Sequence, residues 1–340
     1  MNKKQYCIAK SVKGWYITIK NDGLGREKMD ILWWLVGVLA AVLVLIVLIA
    51  YLCFRMAFYI SNKEKKENAL RVVPPGEEYL PYQDRMTAWN REVKALPCET
   101  FTIESFDGLR LQGKYYEKFP GAPIELMFHG YRGNARRDLC GGVQRCFACG
   151  RNALIVDQRA SGDSDGNVIS FGINERRDCH YWVSFMVEHF GPEAKILLTG
   201  ISMGASTVLM AAGEELPTNV IGVLSDCGYT SAKEIICKVI RQMKLPAKVC
   251  YPFVRLGARL FGHFDLEETS PVEALKKCKL PVFFTHGDAD TFVPCRMSQE
   301  MYEGYTGEKY LYLAPGAAHG LAFPVDEERY IKALGEFFIK

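Results

Sequence analysis

Between Ile31 and Phe54 the chain runs for 24 residues without a charged side chain: ILWWLVGVLAAVLVLIVLIAYLCF. Such a segment has few ways to fold. As an α-helix it rises about 36 Å, enough to cross a hydrocarbon core about 30 Å thick. Trp33 and Trp34 at one end and Tyr51 and Tyr59 near the other suit the two membrane interfaces. A cleaved leader has an apolar region of about 7–15 residues and small residues at its cleavage site. Here the exit reads YLCFRMAFYI. A buried helix of a soluble domain rarely excludes polar residues for so long. The expectation is one retained membrane helix over residues 31–54, preceded by a basic segment over residues 1–30. A juxtamembrane linker and lead-in follow over residues 55–97, where the charged run Asn62 to Asn68 gives way to Val72-Val73-Pro74-Pro75-Gly76.

Sidedness is harder to read. Lys13, Lys20, Arg26 and Lys28 precede the span, and Arg55, Lys63, Lys65, Lys66 and Arg71 follow it, which is close to a tie. With translation starting at Met29, the basic flank would be entirely C-terminal and the large domain cytoplasmic. Cysteine usage points the same way. Ten of twelve cysteines lie beyond residue 60, scattered, with Cys146 and Cys149 the only close pair. Disulfide frameworks belong to small secreted domains with regular spacing, although an even count leaves bridges open. A zinc site would need a second pair of ligands, and none follows Cys146-x-x-Cys149, which sits in an apolar helical stretch suited to core packing. A single-pass protein with its large domain on the cytoplasmic side is the expectation.

Charge excludes one class of partner. Residues 1 to 60 hold eight basic and three acidic side chains, leaving 34 basic and 36 acidic residues for the remainder. That balance carries no electrostatic footprint for nucleic acid.

From about residue 98 short β-rich runs alternate with helix-length segments. Phe101–Phe106 and Leu109–Tyr116 flank Asp107-Gly108, a hairpin signal. Ile124–Phe128, Ala153–Val156, Ile196–Thr199, Val220–Leu224, Val282–Thr285 and Tyr310–Ala314 then read as strands buried on both faces. Between most of them lie helical patterns such as Asn174–Phe190, with Trp182, Phe185, Met186 and Phe190 on one face. The pattern predicts an α/β fold over residues 98–340, one domain with a mostly parallel sheet of about eight strands and flanking helices. Residues 231–264 hold two helical stretches where one crossover would suffice, and read as a small helical cap.

Gly200-Ile201-Ser202-Met203-Gly204 follows an apolar run and opens a helical stretch, the strand–turn–helix setting that gives G-x-S-x-G its meaning. A serine at its ordinary pKa needs a histidine base held by a carboxylate. His319 lies in the loop after the last strand, and Val282–Thr285 leads into His286-Gly287-Asp288-Ala289-Asp290-Thr291-Phe292-Val293-Pro294. Ser202, Asp290 and His319 thus follow the order Ser…Asp…His.

At these residues the chain resembles α/β-hydrolase domain proteins of the serine aminopeptidase and monoacylglycerol lipase grouping, over roughly residues 98 to 340. The resemblance implies the α/β-hydrolase fold and a serine hydrolase. Its H-G-x-x-D-x-x-V-P pattern matches His286, Gly287, Asp290, Val293 and Pro294, selecting Asp290 over Asp288 as the acid. Its H-G-x-x-G-N loop matches His129-Gly130-Tyr131-Arg132-Gly133-Asn134, which implies an oxyanion hole from the backbone N–H groups of Tyr131 and Met203. Its D-x-R-G-x-G-x-S-x-G loop matches Asp157 to Gly166, with Ala160 in place of the first glycine.

The other candidates have plainer readings. His129 and His286 precede glycines at strand ends and suit loop support; His180, His189 and His263 suit surface or packing roles. Asp226, after the strand Val220–Leu224, is the rival acid, and Asp288 reads as a loop cap. No cofactor and no metal are expected. The expected reaction is acyl transfer to water on a small-molecule or lipid-like acyl substrate, with peptidase, aminopeptidase and thioesterase chemistry open on the same residues. The competing class is a non-catalytic binding module of the same fold, which would be expected to lack one of the three residues.

Overall fold

The computed structural model describes residues 28–338 and, before them, the backbone of residues 7–11, 14–18 and 23–27. Strands β1 (Cys7–Ser11) and β2 (Gly14–Thr18) pair antiparallel, and helix α1 runs from Gly23 to Ala57. The chain divides into two compact units, Met1–Tyr51 and Leu52–Lys340. In the first, every side chain from 28 to 45 is exposed, Trp33 and Trp34 included. Helix α1 is long and apolar enough to cross a membrane. Apolar exposure on this scale is unfavourable in water.

The second unit is built on an eight-stranded sheet. Its strands are β3 (Glu99–Glu104), β4 (Arg110–Tyr116), β5 (Ile124–Phe128), β6 (Asn152–Val156), β7 (Ile196–Ile201), β8 (Val220–Asp226), β9 (Val282–Gly287) and β10 (Lys309–Ala314). Their order is β10-β9-β8-β7-β5-β6-β4-β3. The β3–β4 and β4–β6 pairs are antiparallel and the others parallel. Edge strand β3 alternates between exposed and buried side chains, whereas β5 and β6 are buried throughout. That difference explains why the central strands read as unbroken apolar runs.

Helices cover both faces. Helices α5 (Glu175–Phe190), α6 (Met203–Ala212), α9 (Pro271–Leu275) and α10 (Arg296–Gly304) pack Trp182, Val208, Leu275 and Met301 into one core. On the other face, α3 (Gln83–Ala95), α4 (Ala135–Ala148), α11 (Ala322–Val325) and α12 (Glu327–Phe338) contribute Trp89, Leu139, Phe323 and Tyr330. A third cluster joins the cap helices α7 (Ala232–Gln242) and α8 (Ala247–Gly257) to Phe54, Phe58 and Ile60. Helix α8 ends at Gly257, and the chain continues as a π-turn over Ala258–Gly262.

The segment read as linker is more ordered than its charge and prolines suggested. Helix α2 (Asn62–Leu70) starts at a capping box in which Ser61 Oγ accepts from Glu64 N–H and the Glu64 carboxylate accepts from Ser61 N–H. Lys65 Nζ then donates to the Ser164 carbonyl at 2.6 Å. In α3, Met86, Trp89 and Val93 recur at helical spacing and are buried, with the Trp89 ring stacked 5.6 Å from Phe323. Residues after the membrane candidate are therefore part of the domain core. All eleven described cysteines are free thiols.

Candidate active site

The geometry of the site starts at the end of β7. Ser202 has φ 56° and ψ −117°, outside the regions an L-residue prefers. Two close approaches enforce this turn. A Cβ on Gly200 would stand 2.1 Å from the Gly204 carbonyl oxygen, and one on Gly204 would stand 2.1 Å from the Phe128 carbonyl oxygen on β5. No side chain fits either gap, so both glycines are steric requirements. The Ser202 N–H donates to the Asp226 carbonyl at 2.8 Å and fixes the turn to β8. Such a conformation costs on the order of 1–3 kcal/mol and places the hydroxyl ahead of the α6 N-terminus.

From that hydroxyl a hydrogen-bonded chain leads inward. Ser202 Oγ lies 2.9 Å from His319 Nε2, and His319 Nδ1 lies 2.6 Å from Asp290 Oδ2. A carboxylate only accepts, so Nδ1 carries the ring proton and Nε2 is left to accept from the serine hydroxyl. Asp290 Oδ1 accepts from the N–H groups of Phe292 and Val293 at 2.8 and 2.9 Å. Burial works to raise the Asp290 pKa, but hydrogen bonds from His286 and His319 outweigh it and hold the carboxyl well below its usual range.

His286 was read only as loop support, and its contacts are more specific. Its Nε2 faces two acceptors, Asp290 Oδ2 at 3.1 Å and the Val293 carbonyl at 2.9 Å, while Nδ1 lies 2.7 Å from Ser298 Oγ. The two acceptors require the proton on Nε2, so the Ser298 hydroxyl donates to Nδ1. From the cap, Lys238 Nζ donates to the carbonyls of Thr291 and Phe292 at 2.6 Å each. The acid loop is thus held from below by His286 and from above by α7. Neither contact has a local sequence signal beyond the histidine before Gly287.

The rival acid is differently placed. Asp226 is buried, its Oδ1 has no hydrogen-bond partner, and burial pushes its pKa up to about 6. A carboxylate that must stay ionised beside an imidazolium is better served by Asp290. Asp288 accepts from Gly316 N–H at 2.7 Å and ties two loops together. His129 donates from Nδ1 to the Gly130 carbonyl and accepts from Gln158 N–H at Nε2, joining the ends of β5 and β6. His180 lies 3.1 Å from Glu214, His189 packs among Phe101, Phe185 and Phe190, and exposed His263 ends the π-turn. Ala160 has φ 62°, so an alanine occupies the left-handed conformation for which the matching pattern uses glycine.

Two cavities meet at Ser202. One, of about 360 Å³, is apolar and lined by Met203, Phe171, Ile236, Val239, Ile240 and Val293, with Cys53, Met56 and Ala57 from the end of α1. The other, of about 250 Å³, touches His319 and carries Glu78, Arg137 and Asp138. Tyr131 lines both. Pro74, Pro75 and Tyr79, from the segment read as linker, wall the second cavity, and the Tyr79 hydroxyl donates to the His319 carbonyl at 3.0 Å. Met203 is the first residue of α6, so its N–H has no partner within the helix.

No family model matches the chain. The uncharacterized protein YqkD of Bacillus subtilis (strain 168) is 27% identical over 238 residues, covering 70% of this chain and 78% of that one. The Pyrococcus furiosus esterase Pf2001 superposes with a TM-score of 0.58 at 22% identity, over 72% of this chain and 93% of its own. The α/β hydrolase GrgF from Penicillium sp. sh18 gives 0.58 at 17% identity, over 72% and 98%. A Pyrococcus horikoshii acylaminoacyl peptidase gives 0.53 at 18% identity, over 74% of this chain and 42% of that one. At these identities the likeness is one of fold, and this chain has the α/β-hydrolase fold.

The strained turn makes a stability prediction. Ser202→Gly and Ser202→Ala both delete the hydroxyl, but only glycine adopts φ 56° without a Cβ penalty. The glycine variant should be the more stable of the two by about 1 kcal/mol, a few degrees in thermal denaturation. Equal melting temperatures would mean that the turn carries no strain.

Proposed function

We propose that this protein is a serine hydrolase that cleaves carboxylic esters of apolar acyl groups. One observation carries the reading: Ser202 on its strained turn, His319 and Asp290 form a continuous hydrogen-bonded chain with the imidazole tautomer that can take the serine proton. In the proposed reaction Ser202 Oγ attacks the ester carbonyl while its proton passes to His319 Nε2. Asp290 stabilises the imidazolium, and His319 then protonates the departing alcohol. Water repeats the sequence on the acyl-enzyme and releases the acid. Backbone N–H groups of Tyr131 and Met203 are assigned to the oxyanion, a role supported by the free N–H at the start of α6 and by the place of both residues along the cavity beside Ser202.

The two unlike cavities support an ester over a peptide. The apolar chamber suits an acyl chain, and the cleft with Glu78, Arg137 and Asp138 suits a polar leaving group. Thioester and aminoacyl substrates use the same three residues and are the second reading. A binding module that lacks chemistry has no need of a strained serine aimed at an imidazole.

Kinetics on p-nitrophenyl esters of increasing chain length test this reading. Asp290→Asn should lower turnover by about 10⁴, because the amide leaves the imidazole in the wrong tautomer. Asp226→Asn should cost far less. A crippling loss in the Asp226 variant with near-normal Asp290→Asn would move the acid to β8 and overturn the assignment.

The protein is further proposed to be single-pass, with residues 61–340 on the cytoplasmic side. The basic residues Arg55, Lys63, Lys65, Lys66 and Arg71 after the span and the free thiols of the second unit support this side. A membrane-impermeant maleimide applied to intact cells should leave Cys98, the one exposed described cysteine, unmodified until the membrane is broken. Prompt modification in sealed cells places the domain outside.

A further inference from the structure

The cap carries a charge pattern of which the active site uses only Lys238. No acidic residue occurs between Glu234 and Asp265, whereas Lys238, Arg241, Lys244, Lys248, Arg255 and Arg259 all fall within that stretch. Three of these six are already engaged. Arg255 and Arg259 pair with Asp265, and Lys238 holds the acid loop. Arg241, Lys244 and Lys248 remain, all exposed and crowded around the turn between α7 and α8. The same turn exposes large apolar side chains, with Met243 50%, Leu245 46% and Val249 60% accessible.

We infer that this turn, residues 241–249, is a docking surface for an anionic phospholipid bilayer. Exposed Met, Leu and Val are unfavourable in water, and interleaved cations would be costly in a protein–protein core. An interface of lipid headgroups satisfies both, because the apolar side chains enter the acyl boundary while Lys and Arg extend to the phosphates. Each cation near such a surface contributes about a fivefold preference, so three together contribute on the order of 100-fold.

Position reinforces chemistry. Met243 and Leu245 also line the apolar cavity beside Ser202, together with Cys53 and Met56 from the end of α1. Met56 is itself exposed. The rim of the chamber is therefore formed by the cationic, apolar turn and by the residues through which the chain leaves its apolar 24-residue run. A bilayer crossed by that run is held close to the turn by the chain itself, so a weak surface affinity is enough to keep it docked. Docked in this way, the chamber opens on the acyl region of the lipid.

The inference does not depend on the hydrolase reading, and hydrogen exchange of the intact protein tests it without any turnover. The full chain is placed in nanodiscs of phosphatidylcholine alone and of phosphatidylcholine mixed with phosphatidylglycerol. Peptides spanning 241–249 should exchange several-fold more slowly in the mixed discs, and high salt should remove the difference. In R241Q/K244Q/K248Q the protection should fall to the level seen without anionic lipid, with an unchanged melting temperature. Equal exchange in the two lipids overturns the proposal. Protection that follows protein concentration instead of lipid charge also overturns it and identifies a second copy as the occupant.

Discussion

The turn at Ser202 is held by backbone packing, and most of the site follows from it. Phe128 on β5 leaves no room for a side chain at position 204, and Gly204 leaves none at position 200. The chain passes from β7 into α6 through the positive φ adopted by Ser202. Because β5, β7 and β8 are adjacent parallel strands, the loops after them converge at one end of the sheet. There Asp226 receives the Ser202 N–H, Gly130 packs beside the serine Cβ, and the loops after β9 and β10 bring Asp290 and His319 within hydrogen-bond reach. The strain is sustained by a core in which the central strands are buried on both faces.

Much of this was legible in the sequence, for identifiable reasons. The eight strands could be read because buried parallel strands are short, apolar and β-branched, and their neighbours are helices of contrasting period. Ser202, Asp290 and His319 could be picked out because glycines and strand ends mark their loops. What stayed hidden is side-chain support acting across long sequence separations. Lys238 reaches Thr291 and Phe292 from the cap, and Tyr79 reaches the His319 backbone from more than two hundred residues away. No local pattern announces such contacts. Prolines and charge also masked the order in residues 55–97, where one capping box and one amphipathic stripe outweigh a composition that reads as linker.

The same masking applied to the boundary between the apolar run and the domain. Phe54 and Phe58 are apolar enough to belong to the run, yet they are buried within the second unit, with Phe58 edge-on to Phe171 and Phe264. The Tyr131 hydroxyl donates to the Ala57 carbonyl at 2.8 Å. The loop assigned to the oxyanion is thereby joined to the chain leaving the apolar run. The end of α1, the cap and Ser202 line one apolar chamber.

The central claim is that Ser202 is a nucleophile made reactive by His319. Covalent labelling of the intact protein with a fluorophosphonate, read by peptide mass mapping, tests it most directly. The account predicts one adduct per chain, on Ser202, and a His319→Ala variant in which labelling is slower by several orders of magnitude. An adduct on another serine, or undiminished labelling without His319, would contradict it.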